Sequence, residues 1–233
     1  MLEIGPFDNP AITGDGVSYF DVLDTAGLQE RAARLGLAPA SVPNIHYCSP
    51  VGDLSIVDRQ FDAVVSSHAI EHQPDLIQHL NDVAAVLRPG GCYYVIAPDK
   101  RFCFDHFLPL SSSEDVVSAH EVRRRVHTRA AVLAHRLGTT HNDPLRHWLG
   151  RHRSNVVVSA AMQDEAEADA VRADRGEYVD VHAWIFSPQS FYEVVTELGR
   201  RRLIDLKLVT VHDTEYPQFE FNAVLQKQAG LRG

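Results

Sequence analysis

Apolar positions in this chain come as short continuous runs separated by stretches of helical spacing. Leu2–Ile4, at the head of LEIGPFDNP, carries one acid, Glu3, then meets Gly5 and breaks on Pro6 and Pro10. That pattern predicts a buried parallel strand leading into a tight turn. Ser18–Asp21 is a second run, ending in a carboxylate. Thr25 to Leu37 predicts a helix, with Leu28, Ala32 and Leu35 at helical spacing, and Asn44 to Cys48 a short third strand. Phe61 to Ser67 reads as a buried fourth strand. Pro74 to Leu87 follows as an amphipathic helix, with Leu76, Leu80, Val83 and Leu87 inward and Arg88-Pro89-Gly90-Gly91 as its stop. Cys92 to Ala97 is the fifth strand, released at Pro98-Asp99-Lys100.

The pattern changes from about Phe102 to Tyr178, a polar, helix-rich stretch holding seven of the 13 histidines. Beyond it, Val181 to Phe186 is expected to return to the sheet. Pro188 to Leu198 forms a helix opened by proline, and Leu203 to His212 and Phe219 to Lys227 finish as two strands. Strands alternating with helices imply an α/β doubly wound sheet. Three parts follow: a core over 1–101, a helical cap insertion over 102–180, and completion of the core over 181–233. No internal repeat is visible.

Composition narrows the classes. A chain of 233 residues, 45% hydrophobic, suits one domain with an insertion. A net charge of −9 argues against a protein that grips nucleic acid over its whole surface. Cys48, Cys92 and Cys103 are odd in number and lack metal-type spacing, and Cys92, in an apolar run, reads as a reduced core residue. No leader and no long apolar segment is evident, so the expectation is a cytoplasmic protein that does not bind membranes.

The carboxyl edge of such a sheet is where nucleotide-like ligands sit. Gly5 admits close backbone approach, and Asp21, at the end of the second run, suits the two hydroxyls of a ribose. A dinucleotide site needs three glycines to cradle a pyrophosphate. Here Gly5 stands alone, followed by Pro6, Phe7, Asp8, Asn9 and Pro10. A ligand with a ribose and no phosphate suits this loop better, and S-adenosylmethionine is one. Together with Glu3, Gly5 and Asp21, the runs FDAVVSSHAIEH (61–72) and LRPGG (87–91) resemble the class I S-adenosylmethionine-dependent methyltransferases of the type 11-like group.

The resemblance implies a Rossmann-like, seven-stranded sheet with its last strand antiparallel. It also implies cofactor positions: Glu3, Gly5, Pro6 and Phe7 at the first loop and methionine end, Asp21 at the ribose, Asp53 and Leu54 at the adenine, Ser67 and His68 beneath the ligand. Phe7 stands where the family has a small residue, which predicts an altered loop. The family's N-terminal helix is missing before a strand that begins at residue 2. Either an upstream segment or a partner subunit, in a homo-oligomer, is expected to cover that face of the sheet.

Methyl transfer to a hydroxyl needs a base, and the candidates are His106 first, then Asp99, Asp105 and His182. These four also mix carboxylate and imidazole donors, yet their spacing is not diagnostic and no metal is expected. Glu71-His72 is expected to start or cap the next helix. Arg123–Arg125 and the cluster Arg146, His147, Arg151, His152 and Arg153 suit either an anionic acceptor or a solvated face. The resulting expectation is methyl transfer to an oxygen of a small molecule, a saccharide or other secondary metabolite. Its rivals are an NAD-dependent sugar oxidoreductase, against which stand the missing glycines and the absence of a Tyr-x-x-x-Lys pair, and an inactive methyltransferase-like scaffold.

Overall fold

The structure is a computed structural model that describes residues 1–152 and 156–228. Its centre is one seven-stranded sheet in the order β3-β2-β1-β4-β5-β7-β6. The strands are β1 (Leu2–Ile4), β2 (Ser18–Asp21), β3 (Tyr47–Cys48), β4 (Phe61–Ser67), β5 (Leu87–Pro98), β6 (Leu206–His212) and β7 (Glu220–Lys227). The first five run parallel, and β7 is antiparallel to both neighbours. The expected α/β doubly wound, Rossmann-like sheet with an antiparallel last strand is therefore present.

Local chemistry explains most element ends. Helix α1 (Thr25–Arg34) starts where Asp24 accepts the Gly27 N–H and stops before Gly36, whose φ of +74° turns the chain out of the helix. This ends it three residues short of the expected Leu37. Helix α2 (Leu76–Val86) is capped by Asp75, which accepts the Gln78 N–H. Glu71 therefore neither starts nor caps that helix; it lies in a separate 3-10 turn, Ile70–His72.

Two further expectations need correcting. The Arg88–Gly91 stretch, read as a helix stop outside the sheet, is a bulge within β5: Phe61 pairs with Leu87, and pairing resumes at Ala63 with Cys92. A Cβ on Gly91 would lie 2.9 Å from the Arg88 carbonyl oxygen, so glycine is required there. Val181–Phe186 does not join the sheet. Its N–H groups find other partners, with Ala183 and Trp184 donating to the Glu71 carbonyl and Ile185 to Ser111 Oγ.

Helices α2, α3 (Ser113–Glu121) and α7 (Pro188–Arg200) contribute to the main core, with Val83, Val116 and Phe191 all buried. On β5, burial alternates: Tyr93 and Val95 are buried, whereas Cys92 and Ile96 are half-buried and Tyr94 is 42% exposed. One face of this central strand is thus covered and the other is only partly so. Beyond α3, helices α4 (Arg129–Gly138) and α6 (Ala160–Asp174) pack on each other, with α5 (Pro144–Trp148) between them in sequence. They share a small second core of Val132, Ala170, Ala173, Val179 and Val181. Arg153 lies outside the described residues.

Candidate active site

The carboxyl ends of β1, β2 and β4 lie side by side, since β1 pairs with both others. Glu3 is fully buried within β1 and reaches the returning arm of the loop, accepting the N–H of Ala11 (2.7 Å) and Ile12 (3.1 Å). Burial raises its pKa, and the two N–H groups oppose that rise. It caps no helix; it braces the loop. Gly5 turns at φ +72°, its N–H bonded to the Phe20 carbonyl, with Ala69 close enough to meet any Cβ at 3.5 Å. Phe7 also adopts a left-handed φ, +42°, and packs on the satellite cluster of Leu28, Ala32 and Val42 with the Arg31 guanidinium over its ring. This is how the loop accommodates a large residue: the ring leaves the turn and covers α1.

Asp21 ends β2. Its Oδ1 accepts the N–H of Val22 and Leu23, and burial raises its pKa against those bonds and the Arg31 charge. Asp53 is exposed, and its Oδ1 accepts the Ser55 N–H, which holds its pKa down. The Arg125 charge adds a smaller lowering. Leu54 packs into the main core at 1% exposure. Arg124 stands over the Trp184 ring, with its Nε buried.

At the end of β4, Ser67 is half-buried and His68 takes φ +49°. Burial disfavours the His68 imidazolium, but Glu220 at 2.8 Å and Glu71 at 3.5 Å overcome this and lift its pKa to about 9. Glu71 is 1% exposed, and neither carboxylate oxygen has a hydrogen-bond partner. Burial opposes its charge, yet His68, His72 and His182 around it hold its pKa below the ordinary value. In the sequence Glu71-His72 reads as a helix start or cap, whereas the turn that carries it folds inward and buries Glu71.

Asp180, in the segment after α6, meets this edge. His72 Nδ1 lies 2.9 Å from Asp180, an ion-pair contact, and Arg31 of α1 binds the same carboxylate at 3.0 Å. The His72 contact holds the Asp180 carboxyl well below the usual carboxylate range. Beside it, His182 donates from Nδ1 to Asp105 Oδ2 at 2.6 Å, and both residues are buried. His182 Nε2 is 3.9 Å from Glu71. His135 stands alongside, its pKa pushed down to about 4 by burial.

The four candidate bases are therefore not one group. Asp105 and His182 form a pair at the cap boundary. Asp99 is fully buried and used up: Arg101 binds it in a bidentate pair, Thr214 Oγ1 donates to it at 2.7 Å, and Arg101 also reaches Asp213. His106 turns to other partners, donating from Nδ1 to the Arg101 carbonyl and stacking near His147 and His152. Among the described residues, the clusters with metal-type geometry are His106/His147/His152, Glu71/His72/His182 and Asp105/His135/His182; Asp99 belongs to none.

Residues 20–95 match the family model described as a methyltransferase domain. A protein of Mycolicibacterium smegmatis described as "Probable S-adenosylmethionine-dependent methyltransferase" is 27% identical over 120 residues, covering 51% of this chain and 47% of its own. The chain thus spans about half the length of that curated relative. A solved structure of a putative S-adenosylmethionine-dependent methyltransferase from Listeria monocytogenes is 12% identical, covering 97% of this chain and 90% of its own, with a TM-score of 0.46. The CcbJ methyltransferase from Streptomyces caelestis is 11% identical, covering 98% and 88%, also at a TM-score of 0.46.

Proposed function

We propose a reaction for this chain, whose core is a class I S-adenosylmethionine-dependent methyltransferase domain: transfer of a methyl group to an oxygen of a small-molecule acceptor, of the saccharide or secondary-metabolite kind. Asp21 is the observation that carries it. It is a buried acid at the end of β2, beside a loop that Glu3 braces and that lacks the glycines of a pyrophosphate cradle.

The residues present fit S-adenosylmethionine, which supplies an activated methyl group on a sulfonium. Asp21 takes the ribose hydroxyls, Glu3 and the Gly5–Phe7 turn shape the methionine end, Asp53 meets the adenine amino group, and Ser67 and His68 floor the site. Alignment of acceptor and methyl group is worth about 7–11 kcal/mol of barrier in well-oriented systems. His182 then removes the hydroxyl proton. Asp105 fixes its Nδ1–H, so Nε2 is the accepting nitrogen, and the charge that forms lies between two buried carboxylates, Asp105 and Glu71. A positioned base adds roughly 10²–10⁴-fold. The exposed Arg123 suits an anionic acceptor.

Calorimetric titration of the full chain with S-adenosylhomocysteine, with NAD in parallel, tests the reading. The expected result is micromolar binding of the first and none of the second. Binding of NAD alone would overturn it.

A further inference from the structure

Three imidazoles from two distant parts of the chain meet at the cap. His106 lies in the segment after β5, His147 in α5 and His152 just past that helix, and one ring nitrogen of each lies within 4.8 Å of the other two. Backbone carbonyls settle two of the tautomers. A carbonyl only accepts, so His106 carries its proton on Nδ1, 2.9 Å from the Arg101 oxygen, and Nε2 keeps a lone pair. In the same way His147 donates from Nε2 to the His141 oxygen at 2.9 Å, leaving a lone pair on Nδ1. His147 is 4% exposed, and its Nδ1 has no hydrogen-bond partner; His152 Nδ1 is likewise buried and unpartnered.

An imidazole whose second nitrogen is tied to a carbonyl is the usual form of a metal ligand, because the tie fixes both ring orientation and tautomer. We propose that His106, His147 and His152 bind one zinc-class transition-metal ion that clips the α5 segment to the chain after β5. Three imidazoles without a carboxylate favour zinc, copper, nickel or iron over magnesium or calcium. A tetrahedral ion with bonds of about 2.0–2.1 Å leaves a fourth position open. The rest of this contact is already built: Phe102 stacks on Trp148 with centroids 3.6 Å apart, and Trp148 Nε1 donates to the Gln218 carbonyl at 2.8 Å. The other two clusters share His182, whose Nδ1 is committed to Asp105. Because Asp105 directly precedes His106, the ion also anchors the turn that positions Asp105. This role differs from that of a base, for which His106 was the first sequence candidate.

The test is zinc binding by the chelator-stripped full chain, measured in competition with a chromophoric chelator, with cobalt(II) absorption as the geometric readout. One equivalent of zinc per chain is expected, with a tetrahedral cobalt spectrum and a higher melting temperature in zinc than in magnesium. His147→Gln and His152→Gln should each weaken zinc binding by about a hundredfold or more, at or above the usual loss for an outer partner, whereas His135→Gln should not. His152, half-buried, is the safer variant should His147→Gln not fold. Zinc affinity unchanged in His152→Gln, or lost in His135→Gln instead, would overturn the assignment. No methyl donor takes part, so either result leaves the proposed reaction to its own test.

Discussion

Asp21 and His182 divide the proposed chemistry between them. Asp21→Asn keeps the size of the side chain and removes its charge. Hydrogen bonds to charged groups are worth about 1.5–3 kcal/mol, so binding of S-adenosylhomocysteine should weaken at least tenfold by calorimetry, while Asp53→Asn, at an exposed position, should cost less. His182→Gln should do the opposite. It should lower kcat by roughly 10²–10⁴-fold and leave S-adenosylhomocysteine affinity unchanged, because the carboxylates His182 meets are Asp105 and Glu71, outside the first loop. A variant that loses both together would mean that His182 only holds the cap in place. Both residues were readable as candidates, Asp21 from its place at a strand end and His182 only as one of several histidines. The partnership with Asp105 was not readable, since the two are 77 positions apart.

At the scale of elements, α4 and α6 form a unit with a core of its own. Val132 is fully buried against Ala170 and Ala173, and the outer faces of α4 and α6 are joined by Arg129 to Glu167 and Asp174, and by Arg136 to Asp169. Such exposed pairs contribute little each, so the small apolar core holds the two helices together. Val132→Ala should cost about 1–3 kcal/mol, locally. Hydrogen exchange should speed up over α4 and α6 and stay unchanged in β4 and β5; uniform acceleration would show that cap and sheet unfold as one. The polar, alanine-rich sequence announced helices here. It did not announce that α3 packs into the main core while α4 and α6 do not, because both sets carry similar spacing and only their partners differ.

Across the whole molecule, buried imidazoles set the response to pH. Burial pushes His79, His127 and His135 down to about 4. The unfolded chain then binds more protons, and stability present above about 6.5 is lost as pH falls towards 4. His68 has the opposite sign. Its pKa is lifted to about 9, so its contribution is complete below about 6.5 and is lost as pH rises through 9. Urea midpoints should therefore peak near pH 6.5. The alkaline limb should be the shallower, since His68 is 34% exposed and partly screened. His68→Gln should flatten that limb alone; an unchanged limb would place its cause elsewhere.

By itself the sequence determined what depends on neighbours along the chain. Strand and helix periods, the proline-broken loop after β1, the acid that ends β2 and the order of most elements follow from local chemistry; with the family resemblance they point to the sheet and the cofactor, although Val181–Phe186 also reads as a strand and is none. Tertiary structure decided what depends on distant partners. It brought His68 to Glu220 across 152 positions, buried Glu71 among three imidazoles, tied off Asp99 with Arg101 and Thr214, and gathered His106 with His147 and His152. The reason is physical: a backbone conformation is chosen within a few residues, whereas the charge and proton state of a buried side chain is chosen by whatever the fold packs against it.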